Sequence, residues 1–209
     1  MASLRRALIA AIALPAALSC ASILGIEQAE LKPETTDAGG GGAGGSGPSK
    51  TLCAEYCATA MANCKDENRL YPKIEYCLPV CEAMPAGMRG DASGNTVGCR
   101  LRHAEAAGLG ETALNCNAAS PGGYGICGDN CESWCALDRK LCPAVYATDQ
   151  DCADACATFP VLGSYNDSIQ SGNSFECRLY HVTAVAGLND PKTHCPHTDI
   201  TIHKPPCID

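Results

Sequence analysis

Five histidines and seventeen cysteines carry most of the chemistry this 209-residue chain can offer. Cys99/His103 and Cys177/His181 repeat a Cys-x-x-x-His spacing that sets a sulfur and an imidazole on one face of a helix, which is also a metal-ligand spacing. His194 and His197 add His-x-x-His, and His203 follows. Combined with His181 they make a three-imidazole set suited to Zn²⁺ or Cu²⁺. The plainer reading is that His103 and His181 each hold a helix through a hydrogen bond to a loop. On that reading both are buried alike, and His181 lies too far from His194 and His197 to share a metal, so no cofactor is expected. Asn115 and Ala118 stand where a cysteine-based alignment places His194 and His197, so a metal site would belong to one part of the chain only.

Other chemistries find less support. Asp91-x-Ser93-x-Asn95 has alternating oxygen ligands of a Ca²⁺ loop, but Asp, Ser and Asn are also ordinary turn residues. Cys-x-x-Cys-His for c-type haem, redox Cys-x-x-Cys, Gly-x-Ser-x-Gly, a P-loop and His-Glu-x-x-His do not occur. The expectation is therefore a protein without catalytic residues. The formal charge of −8, with no basic cluster, gives nucleic-acid binding no electrostatic footing.

The cysteines define the frame. Apart from Cys20 they form two octets with matching steps: Cys53, Cys57, Cys64, Cys77, Cys81, Cys99, Cys116, Cys127, and Cys131, Cys135, Cys142, Cys152, Cys156, Cys177, Cys195, Cys207. Aligning them also sets Tyr56 on Trp134, Tyr71 on Tyr146, Pro85 on Pro160, and Cys99-Arg100-Leu101-x-His103 on Cys177-Arg178-Leu179-x-His181. This reads as duplication, with repeats over 51–128 and 129–209. Units this small bury little apolar surface, so an even cysteine count in an oxidising compartment implies four disulfides each.

The local signals are helical. Cys53/Cys57/Cys64 and Cys131/Cys135/Cys142 recur on one helical face. A second helix carries Cys77/Cys81, where Pro79 predicts a short or kinked segment, or Cys152/Cys156, after a capping box at Thr148–Asp151. A third begins after an Asn95 or Asn173 N-cap, and Asp190-Pro191 starts a short turn. Ile200-Thr201-Ile202 is the sole strand candidate. The fold class is small, disulfide-rich and mainly α: two tandem repeats, each a helical hairpin plus a third helix.

In an antiparallel hairpin the first cysteine of one helix lies level with the last of the other. That predicts Cys53–Cys81 with Cys57–Cys77, and Cys131–Cys156 with Cys135–Cys152. Cys64–Cys99 and Cys142–Cys177 would then tie the third helix, leaving Cys116–Cys127 and Cys195–Cys207 by elimination. The nested pairs resemble twin-CxxxC helical hairpins in disulfide geometry. The connection over 157–172, with Tyr165, Asn166, Asp167 and Gln170, differs most between repeats and is the candidate binding loop for a sugar or peptide.

The N-terminus addresses location. Arg5 and Arg6 precede an apolar run to Leu18 that is too short to span a bilayer and reads as a signal peptide over 1–19. Ala17-Leu18-Ser19-Cys20 resembles a bacterial lipobox, which implies cleavage before Cys20 and lipidation, palmitate included, of its thiol. Loss of Arg5 and Arg6 would take the formal charge from −8 to −10. Residues 20–50, with the Gly-rich stretch 37–48, read as a flexible linker reaching roughly 30 Å.

The lipobox, the spacer and the Gly-Asn-x-x-x-Cys-Arg-Leu-x-His motif together resemble cysteine-rich lipoproteins encoded in myxobacterial genomes. The resemblance implies an extracytoplasmic protein lipid-anchored to the bacterial envelope, at the outer membrane, and transfers no activity. The leading expectation is a membrane-anchored binding or interaction module whose partners are an envelope protein or glycan. The alternatives are a metal- or haem-associated periplasmic protein using His181, His194 and His197, and a purely structural envelope lipoprotein.

Overall fold

The computed structural model describes residues 47–201 and 205–208. Cys20, the signal and lipidation readings, most of the linker, Ile202 and His203 lie outside them. The chain divides into two units, 1–42 and 43–209, and every described residue belongs to the second.

Eight α-helices and no strand occur among the described residues: α1 Lys50–Asn63, α2 Ile74–Ala83, α3 Val97–Ala107, α4 Thr112–Ala119, α5 Asn130–Leu141, α6 Asp149–Cys156, α7 Phe175–Leu188 and α8 Pro191–His194. Caps explain most of their starts. Asp129 and Thr148 each form a capping box, with Glu132 and with the expected Asp151. The third helices are capped one residue later than expected: Thr96 and Ser174 accept from the Cys99 and Cys177 amides. Asn95 instead accepts from the Ser133 hydroxyl, 3.3 Å away. Helix α2 runs on through Pro79 to Ala83. The carbonyl four residues back is that of Glu75 in the exposed first turn, where water can satisfy it. Ile200 and Thr201, expected as strand, lie in a turn.

Eight disulfides close the frame. Cys53–Cys81 and Cys57–Cys77 pin α1 to α2, and Cys131–Cys156 and Cys135–Cys152 pin α5 to α6, with Cα separations of 5.6–5.9 Å. The remaining four differ from expectation. Cys64 pairs with Cys116, not Cys99, and Cys99 with Cys127. Cys142 pairs with Cys195, not Cys177, and Cys177 with Cys207. The direction of the third helix is the reason. Asn63, at the end of α1, donates to the Ala104 carbonyl at 2.9 Å and abuts Gly108, so the C-terminal end of α3 meets Cys64. Cys99 lies eight residues back along α3 from its last residue, about 12 Å away. Both octets are closed in the same order.

The two cysteine-rich segments share one core, so the 128/129 boundary separates stretches of sequence rather than independent cores. Arg100 is fully buried and donates to the carbonyls of Ser120 and Pro121 at 2.9 and 3.0 Å and to the Ser133 hydroxyl on α5 at 3.1 Å. Gly187 on α7 lets that helix close on Tyr76 of α2, since a Cβ there would stand 2.4 Å from the ring. The Tyr56 hydroxyl donates to the Ala119 carbonyl at 2.7 Å and lies 2.9 Å from the Tyr71 hydroxyl. A buried hydroxyl left unpaired would cost about 1–3 kcal/mol, and this chain keeps these bonded.

Candidate metal centre

Helix α7 is buried along most of its length and carries His181 inside, 5% exposed. Asn189 then turns the chain through a left-handed conformation. Asp190 caps α8 by accepting from the Thr193 amide at 3.1 Å, with Pro191 at the first helical position. A 3-10 turn over Cys195–His197 follows. His194 and His197, three residues apart, project on one side. Cys195, between them, is fastened by Cys142 to the end of α5.

The result is convergence. His194 Nδ1 lies 2.9 Å and His197 Nδ1 3.1 Å from His181 Nδ1. The three ligand atoms lie within 4.8 Å of one another, His181 buried and the other two half-buried. This overturns the expectation that His181 stands apart from His194 and His197. His203 lies outside the described residues.

The surroundings set where the protons of these rings sit. His181 Nε2 lies 3.2 Å from the Gln170 carbonyl, which can only accept. The proton therefore sits on Nε2, and the Nδ1 lone pair faces the other two rings, the arrangement that metal-bound histidines show through their second nitrogen. Burial pushes the His181 pKa down to about 4; the Gln170 carbonyl opposes this, and His197 and His194 reinforce it. Burial also lowers His194, against Asp190. Neutral imidazole is the form that binds metal. Without a metal, two rings compete to donate to one His181 lone pair; a cation uses all three lone pairs at once.

His103 is placed differently. It is half-buried, not buried like His181. Its Nδ1 lies 2.9 Å from Asn115 Oδ1, while the Asn115 amide nitrogen donates to the Gly110 and Glu111 carbonyls at 3.2 and 3.3 Å. Asn115 thus meets His103 as His194 meets His181, and Ala118 stands where His197 completes the cluster. His103 Nε2 is buried without a hydrogen-bond partner among the described residues. Each of the two helix histidines also has a nitrogen near a cysteine pair, Cys99/Cys127 or Cys177/Cys207. Those sulfurs are tied in disulfides and offer no thiolate.

The candidate binding loop turns two of its four named residues inward. Tyr165 and Asp167 are buried at 1% and 2%. Asp167 pairs with Arg69 Nε at 2.8 Å, and its amide donates to the Arg69 carbonyl at 2.9 Å. Asn166 closes a local turn by accepting from Ser168, and the exposed Gln170 side chain donates to the Asp167 carbonyl at 3.0 Å. Asp91, of the Ca²⁺-like stretch, is likewise occupied, accepting from the Met88 amide at 2.9 Å and the Thr96 hydroxyl at 3.1 Å.

Comparison with protein-family models, with curated proteins and with solved structures finds no match to this chain. Among the described residues no helix is long and apolar enough to cross a membrane.

Proposed function

We propose that this chain is an extracytoplasmic, lipid-tethered module that binds one divalent transition-metal ion through His181, His194 and His197. The observation that carries the reading is the meeting of three Nδ1 atoms around a buried imidazole whose tautomer a backbone carbonyl sets. An all-imidazole set follows the general affinity order, so Cu²⁺ binds ahead of Zn²⁺. Anchoring rests on the lipobox-like Ala17-Leu18-Ser19-Cys20, and the Gly-rich spacer would hold the centre away from the membrane.

The test is equilibrium dialysis of the untagged, secreted Cys20→Ser chain against Cu²⁺ and Zn²⁺, with metal analysis. One ion per chain, with affinity lowered at least 100-fold in His197→Ala, is the expected result. Equal binding by wild type and variant would refute the site. Membrane recovery of the wild type alongside release of Cys20→Ser supports the tether; release of both removes it.

A further inference from the structure

We propose that the metal held by this centre keeps coordination positions open to solvent and takes up a small anionic N- or O-donor ligand. The inference rests on the metal-binding reading and concerns what a bound ion would do next.

Geometry is the first argument. With metal–nitrogen bonds of about 2.0–2.1 Å, Nδ1 separations of 2.9 and 3.1 Å correspond to nitrogen–metal–nitrogen angles of about 90° and 100°. A tetrahedral pair would need about 3.3 Å. Two angles of about 90–100° fit neighbouring positions of a square or an octahedron, which has more places than three imidazoles fill. No fourth His, Cys, Asp or Glu ligand atom joins the three among the described residues.

Charge is the second. Three neutral imidazoles leave both charges of a divalent cation uncompensated. Among the described residues no carboxylate or thiolate joins the cluster: the nearby cysteines are disulfide-bonded, and the Asp190 side chain is engaged with the Thr193 amide. An anion from solution can supply what the protein does not, because an ion's own charge dominates its surroundings.

Access is the third. His181 forms the protein side of the cluster, against the Gln170 carbonyl and the edge of Tyr180. His194 and His197 are only half-buried, so the cluster reaches solvent through them. A catalytic or exchange site characteristically keeps such an opening, whereas a structural site is closed by four protein ligands. In the step itself, a lone pair of the anion forms a bond to the metal and a bound water leaves. No oxidation state changes.

The experiment uses the copper-loaded secreted Cys20→Ser chain and azide as probe. Titration should produce an azide-to-copper charge-transfer band and shift the electron paramagnetic resonance spectrum, saturating at one azide per copper with the metal retained. No response at saturating azide, with copper still on three imidazoles, would overturn this inference alone. A response seen only in His203→Ala would also overturn it, because His203 would then fill the position. Loss of copper to azide would do the same. Failure of the chain to take up copper at all refutes the proposed function and this inference together.

Discussion

Asp138 is fully buried on α5, one turn before Cys142, with the Thr198 hydroxyl beside its carboxylate. The Thr198 hydroxyl, which also lies 2.9 Å from the Cys195 carbonyl, favours the charged carboxylate by hydrogen bonding. Burial outweighs that hydrogen bond and the Arg139 charge and, with some help from Asp199, raises the Asp138 pKa to about 7. In the unfolded chain the value is about 3.9. The folded protein therefore holds this proton more tightly. The associated stability is fully present below about pH 4 and is lost as pH rises through about 7. Three pKa units correspond to about 4 kcal/mol, a ceiling that relaxation and water entry reduce. Asp138→Asn keeps the shape and removes the charge. It should leave stability nearly unchanged at pH 4 and raise it by about 2–4 kcal/mol at pH 8. Guanidinium unfolding followed by Trp134, the chain's one tryptophan and part of the same helix, reads this directly. Parallel wild-type and variant profiles from pH 4 to pH 8, or a variant less stable at pH 8, would refute the reasoning.

Arg69→Ala should weaken copper binding about tenfold, because Arg69 holds Asp167 and so the segment presenting the Gln170 carbonyl to His181; dialysis measures it. Replacing Cys142 and Cys195 by serine opens a 53-residue separation and should cost about 4 kcal/mol in denaturant unfolding, with metal binding also impaired. The corresponding Cys57/Cys77 pair, 20 residues apart, should cost about 3 kcal/mol and spare the metal. Tyr56→Phe should lose about 1–2 kcal/mol, since the Ala119 carbonyl would be left buried without its donor.

The helices and the nested hairpin disulfides were legible because they depend on local spacing. A four-residue step returns to the same face, and antiparallel packing sets cysteines level in a way a sequence records. The other four disulfides depend on the direction in which a third helix crosses the first, and that is decided by tertiary packing. Asn63 against Ala104 and Gly108 brings the far end of α3 to Cys64, a contact no periodicity contains. The histidine cluster was hidden by the same error. With Cys142 assigned to Cys177, nothing brought residues 194–197 onto α7; with Cys142 on Cys195, they arrive beside His181. One signal was available: His194 aligns with Asn115, a polar residue able to meet a histidine from the facing segment. The segment 157–172 looked suited to recognition because it is polar and variable, yet burial of Tyr165 and Asp167 shows polar residues doing inward work.

Counting the imidazoles on the bound metal tests the central claim most directly. X-ray absorption fine structure of the copper-loaded chain should show three imidazoles at about 2.0 Å, falling to two in His197→Ala. A spectrum with one imidazole or none, with sulfur at about 2.3 Å, or unchanged by His197→Ala would contradict the account.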